Sequence, residues 1–236
     1  MHAPLAVFLL RLVGLALVCA ATLAAYGMAE SALARRYPAS LRLEPGPRRL
    51  AAKNALKAVV LSAGIPVAAL AVHASARGVG NGDNAAMQLA ATMYASQDVT
   101  ALALLRPHLS ATTVAHHATV LLLWTLLAAG ALEGVFGGAV WLCCAALPTG
   151  VVNLYIAARQ VAPAEERRAL ARASVYAYLP CFAFCVLHQT LALRAATDPV
   201  WVVAAYSVAL GAVWRDDVVL LRHLLRAAGY LNARSC

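Results

Sequence analysis

Seven runs of mostly apolar residues, each near the length of a bilayer-crossing helix, dominate the chain and limit what it can fold into. A helix through the hydrocarbon core needs about 20 such residues. The runs cover residues 5–28, 55–72, 85–105, 114–132, 135–158, 174–193 and 200–221, the last interrupted by Arg215, Asp216 and Asp217. Composition agrees: 63% of the 236 residues are apolar, 12% are charged, and the mean hydropathy is +0.74. Soluble domains run near about 45–50% apolar and about 25% charged. A globule of this size has too little interior to hide the excess, so a membrane must cover part of it. The pattern excludes a disordered chain, a collagen-like repeat and a typical cytosolic enzyme domain. It predicts an all-α, polytopic transmembrane helical bundle of about seven spans.

The formal charge of +9 would suggest nucleic acid in a soluble protein. In a membrane protein it points instead to the positive-inside rule, and no nucleic acid is expected. Sixteen of the 19 basic residues fall on one side of a seven-span layout, leaving Arg77 and Arg194 opposite and Arg11 inside the first run. The N-terminus is therefore expected on the lumenal or exoplasmic side and the C-terminus in the cytoplasm. The first run lacks a positively charged n-region and contains Arg11, which favours a retained helix over a cleaved signal peptide. Residues 29–54, with Pro38, Pro45, Gly46 and Pro47 among arginines, read as a linker. The expected organisation is an accessory helix and basic loop (1–49), a six-helix unit (50–226) and a cytoplasmic tail (227–236). The stretch after Asp217 reads either as an amphipathic helix on the leaflet or as a frayed end.

Ionisable groups at membrane depth are functional candidates by default. Asp98 lies in the third run, about 10 Å from its cytoplasmic end at 1.5 Å per residue. Tyr94 stands one turn earlier, and His116 and His117 open the fourth run from the same side. Three readings compete for this group: an acid–base pair for acyl or proton transfer, a metal site, and an interhelical hydrogen bond that fixes packing. Three ligands without a further carboxylate or histidine argue against the metal, and no cofactor is expected. Asp216 and Asp217 read as ion-pair partners of Arg215. Pro66, Pro148 and Pro180 are candidate helix breaks. Among the six cysteines, Cys181 and Cys185 share a helix face at i, i+4, for which core packing is the simpler reading.

Residues 94–98 (Tyr-Ala-Ser-Gln-Asp), then 17 residues, then His116–His117 at the head of an apolar helix resemble the TLC domain. That family is named for translocating-chain-associating, longevity-assurance and neuronal ceroid lipofuscinosis membrane proteins. Ala52–Lys53–Asn54 before the second run, Asn153 with Pro148 in the fifth, and the aromatic stretch 176–184 follow in matching order. The resemblance covers roughly residues 50–226. It implies lipid biology in the endoplasmic reticulum or a related endomembrane, with membrane lipids as partners and with Asp98, His116 and His117 in a pocket supported by Tyr94 and Asn153. Members that are ceramide synthases join a fatty acyl-CoA to a sphingoid base; others handle lipids or cargo without known chemistry. The fifth run here, WLCCAALPTGVVNLYIAAR, lacks the His-Asp and following carboxylates of the synthases. The chain is therefore similar to the non-synthase members, acting in membrane lipid homeostasis. The alternatives are a ceramide-synthase-like N-acyltransferase and a non-enzymatic trafficking protein.

Overall fold

The computed structural model describes residues 2–80, 83–130, 150–194, 196 and 199–231. The chain is helical through nearly all of them, and no strand occurs among the described residues. Helix α1 spans His2–Arg36, α2 Pro45–Ala63, α3 Ile65–Ala76, α4 Ala85–Leu105, α5 Ala111–Ala128, α6 Ala164–Arg194 and α7 Val200–Ala228. Short 3-10 turns occupy Pro38–Arg42 and Arg106–His108, and residues 150–158 are also helical. Most of the fifth predicted span, with Cys143, Cys144 and Pro148, lies outside the described residues, as do Arg234 and Cys236.

Residues Leu5–Arg36 of α1, together with α5 and α6, are long and apolar enough to cross a membrane. Helices α2 and α3 make a fourth such stretch if taken as one bent element. Helix α4 keeps the predicted bounds but is more polar, with Thr92, Ser96, Gln97, Asp98 and Thr100 all buried. The reason is its position: α1, α2, α3 and α5 all pack against it, so bundle rather than lipid surrounds its polar groups. Alanines 90, 91, 95 and 101 on the same helix let those neighbours approach closely.

The break expected at Pro66 in the second span falls two residues earlier. Gly64 separates α2 from α3, and the axis turns by 41° there. Pro66 sits in the first turn of α3, where its missing N–H costs nothing. The predicted linker is also corrected. Helix α1 runs on through the good helix formers of Ala29–Arg36, and Pro45 and Pro47 start α2 rather than interrupt it. Only Tyr37, Leu43 and Glu44 between them lie outside helix. Helix α7 continues to Ala228 and stops at Gly229, whose φ of +85° suits glycine. Leu224 and Ala228 pack there against Val152, Tyr155, Ala171 and Val175.

The main core joins α4, α5 and α7 through Met87, Leu123, Trp124, Leu127, Tyr206 and Leu210. Helix α1 packs along α2 and α4. Its Arg11, inside an apolar run, donates from Nη1 to Ala128 O at 2.6 Å, satisfying a carbonyl left open where α5 ends. Proline 180 is accommodated inside the continuous α6. At one end of the bundle Leu33, Tyr37, Ala51, Ala52, Ala158 and Ala162 form a second cluster. There Glu166 accepts from the Tyr37 hydroxyl at 2.5 Å and from Arg36 at 3.0 Å, and Arg172 Nε donates to Ala228 O. These contacts gather the arginine-rich segments of the sequence at a single end.

Candidate functional site

Helices α2, α4, α5, α6 and α7, with the helical segment 150–158, line a cavity of about 550 Å³ at that basic end. Its lining runs from the exposed His108, Ser110 and His223 to the buried Val120, Cys185 and Val213. One wall is apolar, with Val152, Ile156, Phe182, Val219 and Leu220. Lys53, Lys57, His116, His117, Asp216 and Asp217 supply charged and titratable groups to the cavity.

Helix α2 presents Lys53 and Lys57 on one face, four residues apart, both buried. Lys57 Nζ lies 3.0 Å from Asp98 Oδ1 on α4. His117 Nδ1 approaches the same oxygen at 2.9 Å, close enough for an ion pair but poorly aligned for a hydrogen bond. The Tyr94 ring lies 5.0 Å from Lys57 Nζ, a cation–π distance. Asp98 itself is fully enclosed and does not line the cavity; it stands behind Lys57 and His117 and holds them in the wall. Its second oxygen, Oδ2, has no hydrogen-bond partner among the described residues.

His116, one residue earlier, faces α7 instead. Its Nδ1 lies 3.2 Å from Asp216 Oδ2 on α7. Asp217 accepts a hydrogen bond from Tyr178 of α6. The two aspartates therefore serve the cavity wall, and the expected ion pair with Arg215 is not found among the described residues. The site thus holds two His–carboxylate pairs, in which the carboxylate faces Nδ1 and leaves Nε2 as the ring atom for a ligand.

All the sequence-derived candidates converge here: Tyr94, His116, His117 and Asn153 line the cavity, and Asp98 braces it. Sequence reasoning counted Lys53 and Lys57 as positive charges of the cytoplasmic side, with Lys53 also in the Ala52–Lys53–Asn54 stretch, and did not assign them, Asp216, Arg159 or His223 to the site. The signal for the lysines was available in their i, i+4 spacing directly ahead of an apolar run. Cys181 and Cys185 line the cavity on α6. Among the described residues no group of three His, Cys, Asp or Glu side chains is placed to hold a metal.

Comparison of the chain with family models, curated proteins and solved structures returns no match in any of the three.

Proposed function

We propose that the chain is a multi-pass membrane protein of TLC type that binds or handles a lipid in this cavity, within the lipid homeostasis of the endoplasmic reticulum or another endomembrane. The reading takes the seven-span layout with the N-terminus lumenal and the C-terminus cytoplasmic. The gathering of Arg36, Arg159, Arg172 and Arg226 at one end supports that orientation. The observation that carries the lipid reading is the cavity's mixed lining: charged and titratable groups from α2, α5 and α7 share it with apolar side chains from α6, α7 and 150–158. Such a lining suits a polar head group joined to hydrocarbon. The test is lipidomics on cells lacking the protein, re-expressing wild type or a His116→Ala/His117→Ala variant at matched levels. Wild type is expected to restore an altered lipid class and the variant to fail. Restoration by both would make the histidines structural, and no change on deletion would move a trafficking role to first place.

One observation favours the N-acyltransferase alternative, namely the Asp98–His117 pair in the wall. A carboxylate at Nδ1 orients an imidazole so that Nε2 can take a proton from an amine. The amine nitrogen would then bond to the acyl carbon of a fatty acyl thioester as the C–S bond breaks, and the thiolate would leave with the proton. Turnover by purified protein that vanishes in His117→Ala, with folding intact, is the expected result; retained turnover would exclude this route.

A further inference from the structure

The carboxylates at the cavity are each matched to a partner. Asp98 faces Lys57 and His117, Asp216 faces His116, and Asp217 accepts from Tyr178. The cations are not all matched. Lys57 has Asp98, but Lys53, only 5% exposed, has no carboxylate within ion-pair distance among the described residues, although it lines the cavity. Two lysines at i, i+4 repel each other on one helix face, and Asp98 offsets only one. A lysine buried in this state keeps its ammonium form only at a cost, which an anion in the cavity would offset.

A second feature points the same way. The N-terminus of α5, an 18-residue helix, opens into the cavity through Leu109, Ser110, Thr112 and Thr113. Ser110 caps it by accepting from Thr113 N at 3.1 Å, and its hydroxyl lies 2.9 Å from Thr112 Oγ1. Helix N-termini attract negative charge through their open N–H groups and the aligned peptide dipoles. Arg159, just past the segment 150–158, also lines the cavity and brings a further cation. A carboxylate has two oxygens to share among these donors, whereas a phosphate offers more acceptors and a larger charge.

We infer that the cavity binds a phosphate group, held by Lys53 and facing the N-terminus of α5, with the phosphate carried by a lipid. This inference rests on the lipid reading above and names the class of head group. The free carboxylate-bearing or neutral lipid is excluded as the preferred occupant, and free phosphate is the competing source of the same chemistry.

The test uses the full chain purified in a neutral detergent, with Kd measured for phosphatidate, for diacylglycerol with the same acyl chains, and for inorganic phosphate. Wild type is expected to bind phosphatidate about tenfold or more tightly than diacylglycerol, the scale of one charge-assisted contact. Lys53→Gln is expected to erase that preference and Lys53→Arg to keep it. Should Lys53→Gln not fold, displacement of phosphatidate but not diacylglycerol by excess inorganic phosphate on wild type supports the inference in its place. Equal affinity for the two lipids overturns the phosphate assignment and leaves the lipid reading standing. Binding of inorganic phosphate as tightly as phosphatidate, with no diacylglycerol binding, keeps the anion site and overturns the lipid as its source. A preference that survives in Lys53→Gln overturns the role of Lys53, and binding of none of the three overturns both readings.

Discussion

Lys57 reaches across from α2 to place its ammonium 3.0 Å from the carboxylate of Asp98, and both side chains are sealed from solvent. Removing one member of a buried pair leaves a lone charge, at a cost of about 3–5 kcal/mol. Asp98→Asn and Lys57→Met are each expected to lower the thermal midpoint in detergent by about 6–20 °C, given roughly 2–4 °C per kcal/mol at this chain length. The double variant is expected to lose much less than the sum, because both charges leave together. Additive losses in that cycle would show that the two groups do not depend on each other.

The Tyr37–Glu166 contact predicts a pH dependence. Burial, and then the hydrogen bond to Glu166, push the Tyr37 phenol above its ordinary range. A raised value means that the linked stability is fully present below the unfolded value near about 10 and is lost as pH rises through the folded one. Tyr37→Phe is expected to cost about 1.5–3 kcal/mol at neutral pH, the range for a hydrogen bond to a charged group. The gap between wild type and variant should hold from pH 7 to 9 and close only in stronger alkali. Thermal melts across that range check it; a gap closing below pH 8 would contradict the geometry.

Gly46 packs against His108 of the cavity lining. A Cβ built there would lie 2.6, 2.8 and 2.9 Å from three atoms of the His108 ring. The ring is at the surface and can swing away, so Gly46→Ala is expected to change stability by no more than about 0.5–1 kcal/mol. The imidazole should nevertheless leave its position over α2. Histidine NMR shifts that stay at wild-type values in this variant would refute the contact.

One turn beyond Cys185 on α6, Gln189 Oε1 accepts from the Tyr206 hydroxyl at 2.6 Å, and Gln189 Nε2 has no partner among the described residues. Tyr206→Phe would leave the whole buried amide unsatisfied, for a loss of about 1–3 kcal/mol. Ligand affinity at the cavity should stay unchanged. A drop in affinity without a drop in stability would mean that the two regions are coupled.

The sequence made the helical class and several boundaries readable, because apolar runs of bilayer length leave little else possible. Residues 85–105 form a helix over the expected range, and Tyr94, Asp98, His116 and His117 come together as antiparallel helices require. The break at Gly64 was less visible, since hydropathy continues through it and only Pro66 marks it. The linker reading of residues 29–54 failed because prolines at a helix start and prolines in a loop look alike until the flanking helices are known. Lys53 and Lys57 were hidden by their charge: counted toward the cytoplasmic side, they turn inward, Lys57 onto Asp98 and Lys53 to the cavity. Asp216 was assigned to its neighbour Arg215, yet adjacent residues on a helix point apart, and its partner His116 lies 100 positions away in the chain.

The bend at Gly64 also fixes a depth. Counting inward from Ala76, just ahead of Arg77, about 20 helical residues use up the roughly 30 Å of a hydrocarbon layer. That count ends at Lys57. If α2 and α3 cross as one span, Lys53 stands one turn further out, roughly 6 Å, level with the head groups of a phospholipid leaflet. A phosphate reaching Lys53 would move sideways from the leaflet into the protein without sinking into oil, and its acyl chains would keep the level they already had.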